Sequence, residues 1–319
     1  MKRHNNIFDK IIKIDNILLA QKKARKGKEH QYGIQLFDRG SAANWFSVYF
    51  QLKNKTYKTS AYKNFKIYEP KERLISCLPY IDRIVHHMIM NVLEAIFVAM
   101  FTADTYSCIK GKGIVSFWRN FRKALRDIPG TKYCLEIDIV KFYPSIDHRI
   151  LKKQLRRKFK DPDLLWLLDG IIDSAPGVPI GNYLSQYFAN FYLTGFDHWI
   201  KEELGVKYYF RYSDDIRILC ETKEDLHRFR IAIEQYLQQK LKLTIKPNYR
   251  VFPVELGVDV VGFKFFRYHT LLRKSIKQGF ARAMSRKRRD NLSISGYWAW
   301  AKWADTKHLI KKLTLNEAA

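Results

Sequence analysis

Apolar and polar positions alternate with two different periods along the chain. Apolar residues recur every three or four positions where a helix is expected to bury one face, as at Ile7, Ile11 and Ile14. In the segment KYCLEIDIV they occupy every second position, with Leu135 and Ile137 on one face, as in a half-buried strand. The two periods therefore predict a chain of mixed helices and strands.

The predicted elements suggest one fold class. Helical spacing predicts helices at 5–27, 82–101, 116–127, 148–160, 163–173 and 223–240, another from about Ser185, and mainly helices from about residue 270 onward. Alternation predicts a hairpin around Pro70, a strand from 132 to near Phe142, two strands flanking Asp214, and strands near 243–252 and 258–266. This order predicts an antiparallel sheet backed by helices, which is an α+β fold.

The segment KYYFRYSDDIRILCE places two adjacent carboxylates, Asp214 and Asp215, between apolar runs. Successive strand residues point to opposite faces, so both can serve one site only at the turn of a tight hairpin. An ordinary surface turn is the simpler alternative. The apolar flanks and a second strand that carries Asp138 favour a metal site, because a divalent cation offsets the repulsion between gathered carboxylates.

Three carboxylates on neighbouring strands predict a two-metal site. Asp138, Asp214 and Asp215 could hold two Mg²⁺ ions roughly 3.5–4 Å apart, the arrangement used for in-line nucleotidyl transfer. One ion would activate an attacking hydroxyl, and the other would hold a triphosphate and its leaving pyrophosphate. The three aspartates are therefore the predicted catalytic residues.

The charge of the chain indicates a polyanionic partner. Lys and Arg number 58 against 31 Asp and Glu, for a formal net charge of +27, and aromatic residues make up 15% of the chain. Nucleic acid is the simplest such partner, and charge that serves solubility alone is the alternative. The four cysteines lack zinc-ligand spacing and no run reaches membrane-spanning length, so we expect a cytoplasmic protein without a membrane partner.

Several ordered motifs resemble those of reverse transcriptases. The run Tyr212, Ser213, Asp214, Asp215 resembles the Y-x-D-D box, and EIDIVKFYPSIDH resembles the strand with the first catalytic aspartate, here Asp138. Further blocks resemble, in order, the fingers motif, the block after it and the primer grip: PKERLISCLPYIDRIV at 70–85, SCIKGKG at 107–113 and VVGFKFF at 260–266.

The resemblance covers about residues 60–270 and implies a right-hand polymerase with fingers, an antiparallel-sheet palm and a small helical thumb. It implies RNA-templated DNA synthesis from dNTPs on an RNA/DNA hybrid, with two Mg²⁺ ions or substituting Mn²⁺, and Ile139 as a further metal-binding position. The implied domains are an N-terminal helical extension at 1–60, fingers at 61–131, palm at 132–150 and 185–266, a fingers/palm connection at 151–184, and a basic helical thumb at 267–319.

The segment PIGNYLSQ at 179–186 indicates a subfamily. Ile180, Gly181, Ser185 and Gln186 resemble the pattern of reverse transcriptases from diversity-generating retroelements, in which an aliphatic residue precedes G-x-x-x-S-Q. This resemblance implies a bacterial or phage enzyme of mutagenic retrohoming, with errors at adenines of a template-repeat RNA and a small basic helical accessory protein. A retron-like or phage-defence reverse transcriptase is one alternative, and an RNA-binding protein with a vestigial polymerase site is another.

The resemblance also implies residues that contact the nucleotide. Tyr143 would exclude a 2′-hydroxyl, with Phe142 as the alternative inward ring. Arg73 and Lys71 would meet the triphosphate, with exposed strand charge as the alternative.

The aliphatic motif adds two nucleotide contacts, and a lysine further along is a third candidate. Ile180 stands where relatives place Gln and offers only shape, so it would weaken discrimination between base pairs. Gly181 would allow close approach of the backbone, or serve only a turn. Lys246 is a candidate for protonating pyrophosphate, with a surface lysine as the alternative.

The segment 264–289 is strongly basic. It holds ten Lys or Arg and no Asp or Glu, and three tryptophans follow it at Trp298, Trp300 and Trp303. A solvated helix face is the alternative for the charges, and thumb core is the main reading of the tryptophans, one of which could stack on a base. Nucleic-acid phosphate contacts are predicted for Arg273, Lys274, Arg286, Lys287, Arg288 and Arg289.

Overall fold

Helices and antiparallel sheets alternate in the computed structural model of the chain, which describes residues 3–68, 72–285 and 291–315. The predicted α+β class is confirmed. A first compact unit takes its described residues from Met1–Thr102, Val140–His198 and Tyr236–Thr244, and a second takes them from Ala103–Ile139, Trp199–Gln235 and Ile245–Ala319. Among the described residues, no helix is both long and apolar enough to cross a bilayer.

The helices account for most of the described chain. They are α1 (Phe8–Ile11), α2 (Ile14–Arg25), α3 (Tyr32–Arg39), α4 (Ser41–Lys53), α5 (Tyr80–Val98), α6 (Ile114–Ala124), α7 (His148–Lys158), α8 (Pro162–Ile172), α9 (Tyr183–Tyr192), α10 (Thr194–Glu202), α11 (Lys223–Leu241), α12 (Lys274–Ser285), α13 (Asn291–Ala301) and α14 (Lys307–Leu315).

The strands form three antiparallel sheets within the described ranges. They are β1 (Lys63–Ile67), β2 (Arg73–Cys77), β3 (Tyr133–Asp138), β4 (Tyr208–Tyr212), β5 (Asp215–Cys220), β6 (Arg250–Pro253), β7 (Val258–Val260), β8 (Phe263–Phe265) and β9 (Thr270–Leu272). The hairpin predicted around Pro70 is the β1–β2 pair. The other sheets have the strand orders β4-β5-β3-β6 and β7-β8-β9.

Helix α5 is the centre of the first unit. Its side chains Met88, Leu93 and Phe97 are fully buried, and the helix packs against α2 and α9. A buried carboxylate fixes the neighbouring elements: Asp161 accepts hydrogen bonds from the backbone of Leu164 in α8 and of Phe8 in α1. One side chain thus satisfies N–H groups at the start of two helices, which would otherwise be left unpaired.

The second unit is built around its two sheets. Strands β3 and β5 are almost wholly apolar on the face that carries Ile137 and Ile216, so burial fixes their register. Another core cluster joins α6 to both sheets, with Phe121 packed between Phe210 of β4 and Phe265 of β8. The four-stranded sheet is therefore held rigidly where its β4–β5 turn emerges.

The first predicted helix and the predicted strand that carries Asp138 differ from the structure. The helix expected at 5–27 is divided into α1 and α2, because Lys13 is extended and the Asn16 amide donates to the carbonyl of Ile11 at 2.8 Å. The strand expected to end near Phe142 ends at Asp138, since Lys141 has a φ of 41° and leads into a 3₁₀ turn at Tyr143–Ser145. Helices α3 and α4 were not predicted individually.

The strands predicted after α11 were too long. The strand near 243–252 is confined to β6, and the one at 258–266 is divided into β7 and β8 by a turn in which Val261 and Gly262 have positive φ. The region after 270 begins with β9, which the helical prediction missed because a three-residue strand leaves little periodicity.

Replacing Gly262 by Ala is expected to reduce the free energy of unfolding by about 2 kcal/mol or more. Gly262 has a φ of 86°, and a Cβ there would overlap the ring of Trp300. Chemical denaturation would measure the loss. The matched control is Gly296→Ala within α13, where a Cβ meets open space, and equal losses in both variants would contradict the prediction.

The free energy of unfolding should fall as pH is lowered from about 6.5 to about 4 because of His86. Burial lowers the pKa of this histidine, which lies within α5, from 6.5 to about 4. Below pH 6.5, His86 is therefore protonated in the unfolded chain but not in the folded chain. This difference lowers the free energy of unfolding by up to about 3 kcal/mol.

Denaturation curves of His86→Gln at pH 7.5 and pH 5 test this linkage. The variant should lose part of the pH dependence, whereas exposed His227→Gln in α11 should keep it. An unaltered slope in His86→Gln would refute the assignment.

Candidate active site

The two adjacent aspartates lie at a tight hairpin, as predicted. Tyr212 pairs with Asp215 across β4 and β5, which leaves Ser213 and Asp214 as a two-residue loop. Ser213 has a φ of 61°, a conformation typical of such loops but uncommon for serine. Buried Arg211 donates from Nη1 to the Ser213 carbonyl at 3.0 Å and so fixes the turn.

Asp138 lies directly opposite Asp215 in the register of β3 and β5. The backbone N–H of Lys246 donates to the Asp138 carbonyl at 2.8 Å, and its Nζ lies 2.6 Å from Asp138 Oδ2. The other carboxylate oxygen, Oδ1, is buried and has no hydrogen-bond partner among the described residues. One carboxylate oxygen of Asp138 thus remains available as an acceptor.

Two of these carboxylates have raised pKa values. Burial raises the pKa of Asp214, and the charge of Asp138 raises it further. Burial likewise raises the pKa of Asp215 to about 6, against the opposing charge of Arg217. Unlike a solvated surface turn, this hairpin holds anionic groups where a compensating cation is favourable.

The carboxylates fit a divalent metal ion chemically but are not gathered into a cage around one. Across the described ranges, no three or more His, Cys, Asp or Glu side chains are arranged to hold a metal ion. Asp215 is instead paired with Arg217, and Asp138 with Lys246. The oxygen-only donor set, with Asp138 Oδ1 unpaired, suits a hard cation such as Mg²⁺. Ile139 has a buried side chain and bridges to Ile245.

Most of the predicted nucleotide contacts lie in the first unit, around one loop. The carbonyl of Tyr143 accepts a hydrogen bond from Val178 at 2.9 Å, and the carbonyl of Ile180 accepts one from Ser76 of β2 at 2.8 Å. Gly181 has a φ of 123°, and a Cβ there would lie 2.7 Å from the Ser76 carbonyl oxygen. The loop at 177–182 is therefore bound both to the turn that carries Tyr143 and to the strand that begins with Arg73.

Exposure distinguishes some of these residues. Phe142 is buried, whereas Tyr143 is only half-buried and Arg73 is exposed. In helix α9, Ser185 is buried and Gln186 is exposed. Lys71 lies outside the described residues.

The basic segment is described only in part. The side chain of Arg273 pairs with Asp259 at 2.6 Å, and Lys274 is exposed at the start of α12. Trp300 and Trp303 pack against the core of the second unit. The predicted phosphate contacts at Arg286, Lys287, Arg288 and Arg289 lie outside the described residues.

Arg217, which lies beside the aspartates, was not among the residues predicted for the site. Arg217 has a side chain only 4% exposed and lies between Asp215 and Glu136. The signal was present, since an arginine two positions after Asp215 in an apolar strand must share its face. An alternation of buried residues alone does not reveal that such a charge is paired across strands.

A comparison with known protein families identifies the family of this chain. Residues 58–265 match the family described as reverse transcriptase (RNA-dependent DNA polymerase). The chain belongs to this reverse transcriptase family. Protein YkfC of Escherichia coli (strain K12) is a relative with 25% identity, and the match covers 64% of each chain.

Solved telomerase structures share the reverse transcriptase fold of the chain. The telomerase of Candida Tropicalis in complex with the TWJ fragment of telomeric RNA has a TM-score of 0.53 at 11% identity, and the match covers 76% of this chain and 53% of the telomerase. The apo telomerase of Candida Tropicalis has a TM-score of 0.51 at 11% identity, with 70% and 50% covered. The chain thus spans about half of these telomerases and 64% of YkfC.

Proposed function

We propose that this reverse transcriptase family member is an RNA-directed DNA polymerase, in which a primer 3′-hydroxyl attacks the α-phosphate of a dNTP and pyrophosphate leaves. The observation that carries the proposal is Asp138 facing Asp215 across paired strands, with Asp214 in the adjoining hairpin turn. Three carboxylates at one end of a rigid sheet are what in-line nucleotidyl transfer requires.

Asp138, Asp214 and Asp215 would hold Mg²⁺, with Mn²⁺ as a substitute. When bound, the metal supplies activation of the attacking hydroxyl and charge stabilisation of the leaving pyrophosphate. The chain itself contributes placement: the β3–β5 register fixes Asp138 and Asp215, and the Arg211 contact fixes the turn that carries Asp214. Rigid placement of ligands is what such a site needs before substrate arrives.

In the first unit, we assign contacts with the nucleotide to Arg73, Tyr143, Ile180 and Gly181. Tyr143 would act as the ring that excludes a 2′-hydroxyl, which is supported by its exposure beside buried Phe142. Exposed Arg73 would bind a triphosphate by its planar fork. Gly181 would let the backbone approach the nucleotide, supported by its positive φ and its proximity to β2.

The double variant Asp214→Ala with Asp215→Ala separates an enzyme from an RNA-binding protein with a vestigial site. RNA affinity, measured by fluorescence anisotropy, should stay within a few-fold of wild type. Primer extension on an RNA template with Mg²⁺ should be lost. Primer extension that persists in the double variant would exclude this site as the catalytic one.

We further propose that the enzyme serves a diversity-generating retroelement in the cytoplasm, copying a template-repeat RNA with errors at adenines and with a small basic accessory protein. Ile180 supports the proposal, because an aliphatic side chain in the loop next to β2 makes no polar contact that could test a base pair. The net charge of +27 supports an RNA partner. A retron-like or phage-defence enzyme would instead copy adenines accurately.

Replacing Ile180 by Gln is expected to lower misincorporation opposite template adenine by roughly tenfold, since an amide restores polar discrimination. Sequencing of cDNA made on one defined RNA would measure the error frequency. Ile180→Val is the matched control and should keep the wild-type error pattern. An error frequency in Ile180→Gln equal to that of wild type would rule out this residue as a determinant of fidelity.

A further inference from the structure

Strand β5 carries a buried charge directly behind the aspartates. The Arg217 side chain is 4% exposed, although arginine remains protonated in proteins. A buried guanidinium is tolerated only if carboxylates and carbonyls surround it. The partners of Arg217 therefore indicate why the chain retains a charge at this position.

Arg217 contacts three strands of the second unit. Its Nη1 pairs with Asp215 Oδ1 and donates to the Ile216 carbonyl at 3.0 Å. Its Nη2 lies 3.4 Å from Glu136 Oε1 on β3 and donates to the Asp259 carbonyl on β7 at 2.9 Å. One side chain thus joins Asp215 to both sheets.

The register explains this placement. Asp215 and Arg217 point to the same face of β5, where they lie opposite Asp138 and Glu136 of β3. Glu136 has a second cation, Arg250 of β6, with Nη2 at 2.8 Å and a side chain that is 61% exposed. Arg250 already offsets the charge of Glu136, so this charge alone does not explain why Arg217 is buried here. The pairing of Arg217 with Asp215 needs another explanation.

We propose that Arg217 is a positioning residue that holds Asp215 by one oxygen, offsets part of its charge and ties it to β7. This inference rests on the proposed polymerase function. In this arrangement Asp215 would offer a metal ion its other oxygen at reduced charge. Arg217 thereby lowers the metal affinity of the site and fixes the position of one metal ligand.

Metal binding without substrate gives the first test. Removal of a cation next to a ligand strengthens attraction for a metal, so Arg217→Met should bind Tb³⁺ about tenfold more tightly in a luminescence titration, a difference of about 1.4 kcal/mol. Arg250→Met removes a cation that contacts Glu136 but not Asp215, and it should stay within about twofold of wild type. Equal Tb³⁺ affinity in Arg217→Met and wild type would overturn the proposal.

Single-turnover primer extension gives the second test. Arg217→Met should lower the maximal rate about tenfold or more at nearly unchanged KM for dNTP, because ligand geometry is lost and nucleotide contacts are not. If Arg217→Met does not fold, Arg217→Lys decides: it keeps the charge and wild-type Tb³⁺ affinity, but a single ammonium cannot span all three strands, so the rate should fall several-fold. A wild-type rate in Arg217→Lys would overturn the proposal.

The two proposals fail in different ways. Wild-type protein that makes no cDNA under any condition would refute the polymerase function, while the Tb³⁺ titrations would still decide whether Arg217 tunes this carboxylate site. Wild-type protein that makes cDNA, with Arg217→Met indistinguishable from Arg250→Met, would refute only the role of Arg217.

Discussion

Asp214→Asn is expected to reduce the rate of RNA-templated primer extension by roughly a thousandfold or more. The amide has nearly the same shape but no charge, so it removes a metal ligand worth several kcal/mol in the transition state. Asp214 is in the hairpin turn, where burial and Asp138 already make its charge unfavourable. The same substitution should therefore leave the melting temperature unchanged or raise it.

A loss of activity without a loss of stability distinguishes a catalytic aspartate from a structural one. Glu221→Gln is the matched control, because it removes an exposed carboxylate that follows β5 at the far end of the same sheet. That variant should keep wild-type activity. A well-folded Asp214→Asn variant with more than about a tenth of wild-type activity would contradict the role assigned to this carboxylate.

Tyr143→Ala is expected to admit ribonucleotides, with discrimination between dNTP and rNTP falling on the order of a hundredfold. The half-buried Tyr143 begins a 3₁₀ turn and is held by the hydrogen bond from Val178 to its carbonyl. A backbone contact of this kind survives the substitution, so the loss should be confined to the ring. Competitive incorporation of dATP and ATP on a defined RNA would measure it.

The neighbouring ring gives the control for that experiment. Phe142 is buried, so Phe142→Leu should lower stability by about 1 kcal/mol without admitting ribonucleotides. If Phe142→Leu relaxed sugar discrimination and Tyr143→Ala did not, the assignment of the two rings would be reversed.

Local signals in the sequence were sufficient for the centre of the molecule. Alternating apolar residues around Glu136 and Asp138, and apolar runs on both sides of Asp214, predicted three strands of one antiparallel sheet and a tight turn at the adjacent aspartates. These signals are strong because one face of each strand is buried and any slip of register would expose it. The α+β class followed from the same pattern.

Contacts between distant positions could not be predicted in this way. The pairing of Arg217 with Glu136 and the Asp259 carbonyl depends on strands that are far apart in the chain. Strand β3 ends at Asp138 because Lys141 has a positive φ, and lysine is not a residue type that predicts a turn. Periodicity likewise does not reveal which cations pair with the aspartates. It therefore could not predict that a preformed metal cage is absent among the described residues.

The most direct test of the central claim is sequencing of the products that purified wild-type protein makes on an adenine-containing RNA template with a primer, Mg²⁺ and dNTPs. We predict cDNA that depends on intact Asp214 and Asp215 and carries errors mainly opposite template adenines. Accurate cDNA would keep the polymerase but contradict the diversity-generating assignment. Absence of cDNA even with native RNA and an accessory protein would contradict the polymerase function itself.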